Sequence, residues 1–342
     1  MSILDQAVNI SVLLPFRFPD QDLFKKAIHS VLTQKGVTFE LVLVDNGSNN
    51  SLRNIISEYQ EKYSNIRVIA EEKPGISFAL NKGLEFCRAN YIARMDADDE
   101  MNRSRLIDQY QLLKNSKDIQ VASGKVELRS SVADHRGFDF YINEINNLKT
   151  PKEIYDHRFI ESPVVHPSVM FSRSLLDQYG FYSTEYQAPE DYELWLRWLS
   201  NGVKFQKIDQ TVLFWNDHSS RLTRTHDNYS RSSFDRIRLQ YLVKFLKEKE
   251  DESRDLIVWG AGKLAKKKIR YLEANGITIK GTIDVDINKS VSGKIAFHYK
   301  NIPSSDEIFI ISMVSNRGVH NEIRNHLTEK KFIEGDDFII TG

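Results

Sequence analysis

Residues 9–45 read NISVLLPFRFPDQDLFKKAIHSVLTQKGVTFELVLVD, and two hydrophobic periodicities alternate along them. Residues 9–14 and 39–45 are short apolar runs of the kind that form buried strands. Residues 19–34 instead place their apolar side chains at helical spacing, and Asp20 stands where an N-cap residue is expected. The stretch therefore predicts a strand, a helix and a second strand in succession.

The same alternation continues as far as residue 95. Predicted helices at 51–63 and 75–88 alternate with predicted strands at 66–70 and 91–95. Strands that alternate with helices through short loops favour a mainly parallel sheet with helices on its faces. In such sheets ligands bind beyond the carboxyl ends of the strands, so the residues that follow each strand are candidates for a functional site.

Acidic residues collect where two of the predicted strands end: Asp45 after the second, and Asp96, Asp98, Asp99 and Glu100 after the fourth. In an extended loop Asp96 and Asp98, two positions apart, face the same side. Mg²⁺ prefers oxygen ligands and is usually held by one or two carboxylates together with phosphates and water. The spacing predicts a metal–diphosphate site, although a solvated acidic turn at the start of the next helix explains the same residues.

The composition excludes several classes of protein. Lys and Arg total 47 and Asp and Glu also total 47 in 342 residues, and this net charge of zero argues against a nucleic-acid-binding protein. A single cysteine, Cys87, excludes an intramolecular disulfide and a multi-cysteine metal site. The first residues lack the basic region of a signal peptide, and no apolar run approaches the roughly 20 residues of a membrane span. A cytoplasmic protein is therefore predicted.

The second half of the chain follows a different pattern. Residues 119–128 predict a pair of strands, and residues 203–208 and 211–217 predict two more. Residues 189–202 predict an amphipathic helix, with Pro189 at its start. These elements lie between the alternating N-terminal region and a charged run, KEKEDESRD, that is typical of a linker.

A second strand–helix–strand pattern follows the charged run. Gly260 and Gly262 form a G-x-G sequence, Ala265 takes the position of the third glycine, and Asp284 follows about twenty residues later. The pattern resembles a dinucleotide-type βαβ unit, in which a helix N-terminus holds a phosphate. A structural or assembly role explains this unit equally well, and no hydride-transfer site is recognisable in the sequence.

Six stretches resemble, in order, the motifs of family 2 glycosyltransferases with the GT-A fold: ISVLLPFRF, LVLVDNGSNN, EKPGISFALNKGL, YIARMDADD, HPSVMFSR and APEDYELWLRW. The similarity spans roughly residues 8–220. The resemblance implies an α/β protein whose residues 1–227 form a GT-A nucleotide-diphospho-sugar transferase domain. A helical, charged linker over 228–254 and a small Rossmann-like domain over 255–342 are expected to follow it.

The resemblance also implies roles for individual residues. Contacts with the nucleotide sugar fall on Pro15, Phe16, Arg17, Asp45, Lys73, Asn81, Asp96 and Asp98. Ligands of a divalent metal, Mn²⁺ or Mg²⁺, fall on Asp98, Asp96, His218 and Asp99. Asp191 takes the place of the catalytic base that deprotonates the acceptor hydroxyl, with Glu190 as the alternative. Leu80 is a departure, because many relatives carry arginine there, which leaves Lys73 or another residue to meet the phosphates.

The chemistry of glycosyl transfer agrees with two separate acidic groups. The departing diphosphate gains negative charge that a divalent cation stabilises, and a carboxylate base activates the acceptor hydroxyl. The prediction is a metal-dependent inverting glycosyltransferase whose donor is a nucleoside-diphosphate sugar, with UDP as the nucleotide. The family resemblance adds a glycan or lipid-linked acceptor, in the biosynthesis of polysaccharide, capsule or lipopolysaccharide.

Partners and alternatives complete the predictions. Residues 230–249 mix basic and apolar side chains in a predicted helix, which favours either domain packing or peripheral association with the inner face of a membrane. A homo-oligomer is a further expectation. Two other functions remain open: a nucleotide-sugar-modifying enzyme or oxidoreductase centred on the C-terminal βαβ unit, and a noncatalytic sugar-nucleotide-binding relative.

Overall fold

The computed structural model of the chain describes residues 8–185, 188–249 and 253–342. It divides into two compact units. The first contains the chain up to Ile154 together with Pro163–Ser230, and the second contains Tyr155–Ser162 and Arg231–Gly342. The predicted domain boundaries stay a prediction, and three residues of the predicted linker, 250–252, lie outside the described residues.

In the described residues, the first unit contains an eight-stranded sheet in the order β3-β2-β1-β4-β7-β6-β8-β5. The strands are β1 (Ile10–Phe16), β2 (Phe39–Asp45), β3 (Ile66–Ala70), β4 (Tyr91–Arg94), β5 (Glu100–Met101), β6 (Ile119–Ser130), β7 (Met170–Ser172) and β8 (Lys204–Asp217). The four strands β3, β2, β1 and β4 are parallel, as are β6 and β8. The short strands β5 and β7 run antiparallel to their neighbours. The predicted mainly parallel α/β sheet is confirmed.

The helices of the first unit follow its strands along the chain. They are α1 (Gln21–Leu32), α2 (Asn50–Lys62), α3 (Ile76–Phe86), α4 (Arg105–Asn115), α5 (Arg136–Asn146), α6 (Pro151–His157), α7 (Ser174–Tyr179), α8 (Glu190–Ser200) and α9 (Leu222–Thr225). The end of α6 passes into the second unit. Asp20 caps α1 as predicted, because its side chain accepts hydrogen bonds from the backbone N–H groups of Asp22 and Leu23.

Two predictions that divided a segment into two strands are wrong. The segment predicted as a strand pair at 119–128 is the single strand β6, and the two strands predicted at 203–208 and 211–217 are the single strand β8. The register pairs Gly124 with Ile208 but the next residue, Lys125, with Thr211. The polar residues between 208 and 211 therefore form a bulge within β8, which a sequence pattern does not distinguish from a turn.

Gly83 allows α3 to pack closely on the sheet. A Cβ at this position would overlap Leu13 Cδ1 and would lie 2.7 Å from Val44 Cγ2. Leu13 and Val44 are both fully buried and cannot move aside. We therefore expect Gly83→Ala to destabilise the first unit by about 1–3 kcal/mol, measured as a lower urea midpoint.

The matched control for this prediction is Gly137→Ala in α5, where nothing lies within 4 Å of the added Cβ. In a helix alanine is favoured over glycine by up to about 1 kcal/mol, so the control is expected to be neutral or stabilising. Equal urea midpoints for the two variants would contradict the close packing of α3.

In the described residues, the second unit contains a five-stranded parallel sheet in the order β11-β10-β9-β12-β13. The strands are β9 (Asp255–Trp259), β10 (Gly281–Asp284), β11 (Ile295–His298), β12 (Ile308–Ser312) and β13 (Phe338–Ile340), and the helices are α10 (Arg231–Glu248), α11 (Lys263–Ala274) and α12 (Arg317–Glu329). Its core includes Ile257, Ile283, Ile310, Leu327 and Phe338. A second parallel α/β sheet is therefore present, and its assignment as a Rossmann-like domain stays a prediction.

Among the described helices, none combines the length and the apolar character that crossing a bilayer requires.

Candidate active site

The carboxyl ends of β1, β2 and β4 lie side by side in the first unit. β1 pairs in parallel with β2, which places Phe16 opposite Asp45, and with β4, which places Leu13 opposite Arg94. The residues that follow these strands therefore reach the same edge of the sheet. This edge brings together the residues around Pro15, Asp45 and the acidic stretch that begins after Arg94.

Asp45 orders the turn after β2. Its carboxylate accepts hydrogen bonds from Gly47 N at 3.0 Å, Ser48 N at 2.6 Å and Ser48 Oγ at 2.7 Å. Arg53 Nε lies 3.5 Å from its Oδ2 atom. The side chain is 10% exposed, and its carboxylate is engaged by donors of the turn. Its predicted contact with the nucleobase stays a prediction.

Asn46 positions the backbone around Lys73. Its Nδ2 donates to the carbonyl oxygens of Glu71 at 2.9 Å and Lys73 at 2.8 Å, and its Oδ1 accepts from Gly75 N at 2.9 Å. The ammonium of Lys73 lies 3.9 Å from the centre of the Phe78 ring. Asn46 is not among the residues predicted from the sequence, although it directly follows Asp45.

Asn81 bonds to protein backbone. Its Nδ2 donates to Tyr182 O at 2.8 Å, and its Oδ1 accepts from Tyr182 N at 3.0 Å. This pair of bonds ties α3 to the segment before α8. The amide is thus already engaged, and its predicted contact with the nucleotide sugar stays a prediction.

Three carboxylates converge after β4. One oxygen each from Asp96, Asp98 and Asp99 lies within 4.8 Å of the others. The side chains of Asp96 and Asp98 are 24% and 20% exposed, whereas that of Asp99 is 0% exposed. The structure therefore brings together the three acids of the predicted metal site and turns two of them toward solvent.

Two arginines balance this negative charge. Arg94 Nη1 lies 2.5 Å from Asp96 Oδ1, and Arg221 contacts Asp96 Oδ2 and Asp99 Oδ1, each at 3.2 Å. Both arginine side chains are buried, at 3% and 7% exposure. Neither arginine is among the residues predicted from the sequence. Arg94 is predictable in principle, because residues two apart on an extended chain share a face. Arg221 reaches Asp96 only through tertiary packing.

The end of β8 holds Asp99 in place. Asn216 N donates to Asp99 Oδ1 at 2.8 Å, and Asn216 Nδ2 donates to Asp98 O at 2.7 Å. These hydrogen bonds, together with the ion pair between Asp99 and Arg221, connect the acidic stretch to the end of β8. Asp96 and Asp98 are left as the partly exposed carboxylates of the three.

His218 lies beside Asp98. Its Nε2 is 2.7 Å from Asp98 Oδ2, and its Nδ1 is 3.0 Å from Ser220 Oγ. Burial alone would raise the pKa of Asp98, but the charge of Arg221 and the hydrogen bond from His218 outweigh it and lower that pKa. Carboxylate oxygens are donors that suit Mn²⁺ or Mg²⁺. The residues present therefore fit a divalent metal.

A second acidic pair begins α8. Glu190 is 8% exposed, and its Oε2 accepts a hydrogen bond from Tyr229 Oη at 2.7 Å. Its Oε1 lies 3.8 Å from His166 Nδ1. Asp191 is partly exposed, and its Oδ1 accepts from Tyr192 N at 2.7 Å. The two predicted base residues thus differ in exposure: Glu190 is buried and Asp191 is partly exposed.

The surroundings of this pair favour proton uptake by carboxylates. Burial, followed by the charge of Glu190, raises the pKa of Asp191 to about 8, and burial also raises the pKa of Glu190. Burial, with the charge of Arg94, lowers the pKa of His166 well below its ordinary value, so this histidine is neutral. His166 Nε2 lies 2.7 Å from Tyr182 Oη.

The second unit contains the turn predicted from the G-x-G sequence. Gly260 has φ 119°, a conformation that favours glycine, and Ala261 N donates to Asp284 Oδ2 at 3.0 Å. The acid at the end of β10 therefore braces the turn between β9 and α11. Nucleotide binding in this unit stays a prediction.

Known proteins are similar to this chain in sequence. Residues 11–180 match the family described as Glycosyl transferase family 2. An uncharacterised glycosyltransferase of Methanocaldococcus jannaschii is 29% identical over 220 residues, which cover 61% of this chain and 71% of that protein. The UDP-Gal:alpha-D-GlcNAc-diphosphoundecaprenol beta-1,3-galactosyltransferase of Escherichia coli is 28% identical over 211 residues, or 61% of this chain and 74% of that protein.

A solved structure agrees with this classification at the level of the fold. The 1–349 fragment of S. aureus TarS, in complex with UDP-GlcNAc, matches with a TM-score of 0.52 and 16% identity over 70% of this chain and 73% of that fragment. The fold and the motifs define a glycosyltransferase of the GT-A type. Residues 11–180 match glycosyl transferase family 2, and the chain is a glycosyltransferase.

Proposed function

We propose that this glycosyltransferase is a metal-dependent, inverting enzyme that moves a sugar from a nucleoside-diphosphate sugar to a hydroxyl of a glycan or lipid-linked acceptor. The observation that carries the proposal is the presence of two distinct acidic groups in the first unit. One is the convergent trio Asp96, Asp98 and Asp99, and the other is the pair Glu190 and Asp191. Transfer from a sugar diphosphate needs one group for the leaving diphosphate and another for the acceptor.

The proposed metal group consists of the side chains that would bind the cation: Asp98, Asp96 and His218. Asp99 is buried and holds the acidic stretch through its bonds to Arg221 and Asn216. A bound Mn²⁺ or Mg²⁺ supplies positive charge to the departing diphosphate. Arg94 and Arg221 keep Asp96 anchored, so the acidic side chains are held ready for the ligand. Asp98 lies against His218 and is the carboxylate of the trio that we assign as the principal metal ligand.

Asp191 is the base in this proposal. Its carboxylate takes the proton of the acceptor hydroxyl as that oxygen bonds to the anomeric carbon and the diphosphate leaves from the opposite face. One displacement of this kind inverts the anomeric configuration. The partial exposure of Asp191 leaves room for an acceptor, whereas Glu190 is enclosed.

The donor and acceptor are inferred from chemistry and from relatives. The proposed contacts with the nucleotide sugar are Pro15, Phe16, Arg17, Asp45, Lys73 and Asn81. Their support is that β1 and β2 end side by side at the same edge of the sheet. The names of the E. coli relative and of the TarS complex both contain a UDP-sugar, which favours UDP as the nucleotide. The same relative's name specifies a lipid-linked diphosphate acceptor, which supports a role in cell-surface polysaccharide biosynthesis.

A donor screen tests the proposed function. UDP-, GDP- and dTDP-sugars are incubated with the full chain, with Mn²⁺, Mg²⁺ or a chelator, and the released nucleoside diphosphate is measured. We expect release from a UDP-sugar only with metal, and an inverted anomeric centre in the product by NMR. Equal turnover with the chelator would refute metal dependence, and a product of retained configuration would refute inversion.

The screen also separates the other candidate functions. Donor binding without turnover across many acceptors would favour the noncatalytic relative. A change in nicotinamide absorbance on adding substrates would favour an oxidoreductase in the second unit. Peripheral membrane association and homo-oligomer formation remain predictions beside this function.

The pH dependence of the reaction follows from the environment of Asp191. Because its pKa is raised to about 8, the base is largely protonated below that pH in the free enzyme and becomes active as it loses the proton. We therefore expect kcat/KM for the acceptor to rise with pH and to level off above about 8. Steady-state kinetics across the pH range check this, and a profile flat through neutral pH would contradict it.

A further inference from the structure

Tyr229 connects a segment distant in sequence to the acidic pair. It ends a one-turn 3-10 helix, Asp227–Tyr229, and its hydroxyl lies 2.7 Å from Glu190 Oε2. Burial and the charge of Glu190 raise the pKa of Tyr229 well above its ordinary value, so the hydroxyl keeps its proton. Tyr229 is therefore the donor and Glu190 the acceptor.

The chain that carries Tyr229 also builds the metal group. Between the end of β8 and Tyr229 it supplies His218 to Asp98 and Arg221 to Asp96 and Asp99. This segment is braced internally, because Arg224 forms two hydrogen bonds with Asp217, at 2.7 and 2.6 Å. The bond from Tyr229 N to His226 O, at 3.0 Å, closes the last turn. One braced segment therefore touches both acidic groups.

Glu190 and Asp191 differ in what surrounds their carboxylates. Tyr229 covers one oxygen of Glu190, and His166 faces the other. His166 is in turn held by the hydroxyl of Tyr182. Asp191 is partly exposed and accepts a hydrogen bond from the backbone N–H of Tyr192. An acceptor hydroxyl can approach Asp191, whereas Glu190 is enclosed by protein.

We propose that Tyr229 is a positioning residue of the transfer reaction: its hydrogen bond holds the buried Glu190 carboxyl group in place beside Asp191, so that Asp191 is the carboxylate that meets the acceptor hydroxyl. This inference rests on the proposed function, in which the pair supplies the base. It adds a residue that no motif of the sequence indicates and a division of roles within the pair.

The proposal predicts the direction of a pH effect. Without the Tyr229 hydroxyl, the Glu190 anion loses a hydrogen bond and takes up a proton more readily. The lost negative charge then makes Asp191 easier to ionise, so the rising limb of kcat/KM moves to lower pH. If Glu190 were the base, the same substitution would move the limb to higher pH. Arg94 and Asp96, whose charges also act on the pair, and the neighbouring His166 and Tyr182 are unchanged in the variant.

The experiment compares pH profiles of kcat/KM for Tyr229→Phe and for the wild-type chain. We expect the limb to move down by about 0.5 pH unit or more, with the donor KM unchanged. Tyr110→Phe is the matched control, since it removes a partly buried hydroxyl that bonds Asn9 Nδ2 at 3.2 Å outside the site. The control profile is expected to superpose on that of the wild type.

Glu190→Gln provides the second variant, because it keeps the shape and removes the charge. Its limb is expected to move to lower pH as well, and adding Tyr229→Phe to it should cause little further movement. An upward shift, or no shift, in Tyr229→Phe overturns the proposal. If Tyr229→Phe fails to fold, Glu190→Gln alone tests the proposal. Loss of the rising limb of its kcat/KM pH profile would show that Glu190, not Asp191, is the base. Failure of the proposed function itself is distinct, because the wild-type chain would then lack metal-dependent transfer.

Discussion

Replacement of Asp191 by asparagine is expected to lower kcat by about 10²–10⁴-fold, the range that a positioned general base typically contributes. Asparagine keeps the size of the side chain and the acceptor for Tyr192 N, but it cannot take the proton of the acceptor hydroxyl. Binding of the donor should be retained, because the nucleotide and metal contacts are assigned to other residues. The measurement is kcat with saturating donor, together with donor affinity by calorimetry.

Asp177→Asn is the matched control for this prediction. Asp177 is an exposed acid in the first turn of α7, as Asp191 is an acid in the first turn of α8. Both substitutions remove a negative charge near a helix N-terminus, which stabilises a helix by about 0.3–1 kcal/mol. Comparable turnover in Asp191→Asn and in the control would show that Asp191 is not the base.

Replacement of Asp98 by asparagine is expected to lower turnover by about 10²–10³-fold, as the loss of one electrostatic contact to a transition state does. Asp98 is the acid of the trio that lies against His218, and Arg94 contacts Asp96 instead. The substitution removes a charged oxygen ligand and leaves His218 with a weaker partner. The metal concentration for half-maximal activity should therefore rise, which a Mn²⁺ titration of nucleoside-diphosphate release measures.

Glu100→Gln is the control within the same acidic stretch. Glu100 lies on β5 and contacts Arg129 at 3.3 Å, outside the convergent trio. Its metal titration is expected to match that of the wild-type chain. Calorimetry of Mn²⁺ and UDP binding provides a readout independent of activity. Unchanged metal affinity in Asp98→Asn would remove Asp98 from the metal group.

The alternating half of the first unit was predictable because local and long-range signals agree there. β2 and β3 have the predicted bounds, and the cap of α1 is where Asp20 indicated. Parallel strands buried on both faces read as continuous apolar runs, and helices that cover them read as amphipathic. Where strands are buried on both faces and helices are amphipathic, the hydrophobic periodicity of a short sequence window distinguishes a strand from a helix.

The other half was harder to predict because its strands are irregular. β6 and β8 are long, and their register shifts between Gly124 and Lys125. A bulge places polar residues inside a strand, where a pattern search places a turn. The same half provides Asn216 and Arg221, which contact Asp99 of the acidic trio. The least regular part of the fold therefore supplies residues that hold the trio in place.

The sequence by itself determined the class of fold, the acidic stretch after β4 and the second acidic pair at the start of α8. These are local features, encoded by periodicity and by residues adjacent in the chain. Only the tertiary structure decided how the carboxylates differ from one another: Asp99 is buried against Arg221, Asp98 lies beside His218, and Glu190 is covered by Tyr229. The physical reason is that the state of a carboxylate depends on the charges, donors and solvent around it, and here those come from segments brought together by the order of strands in the sheet.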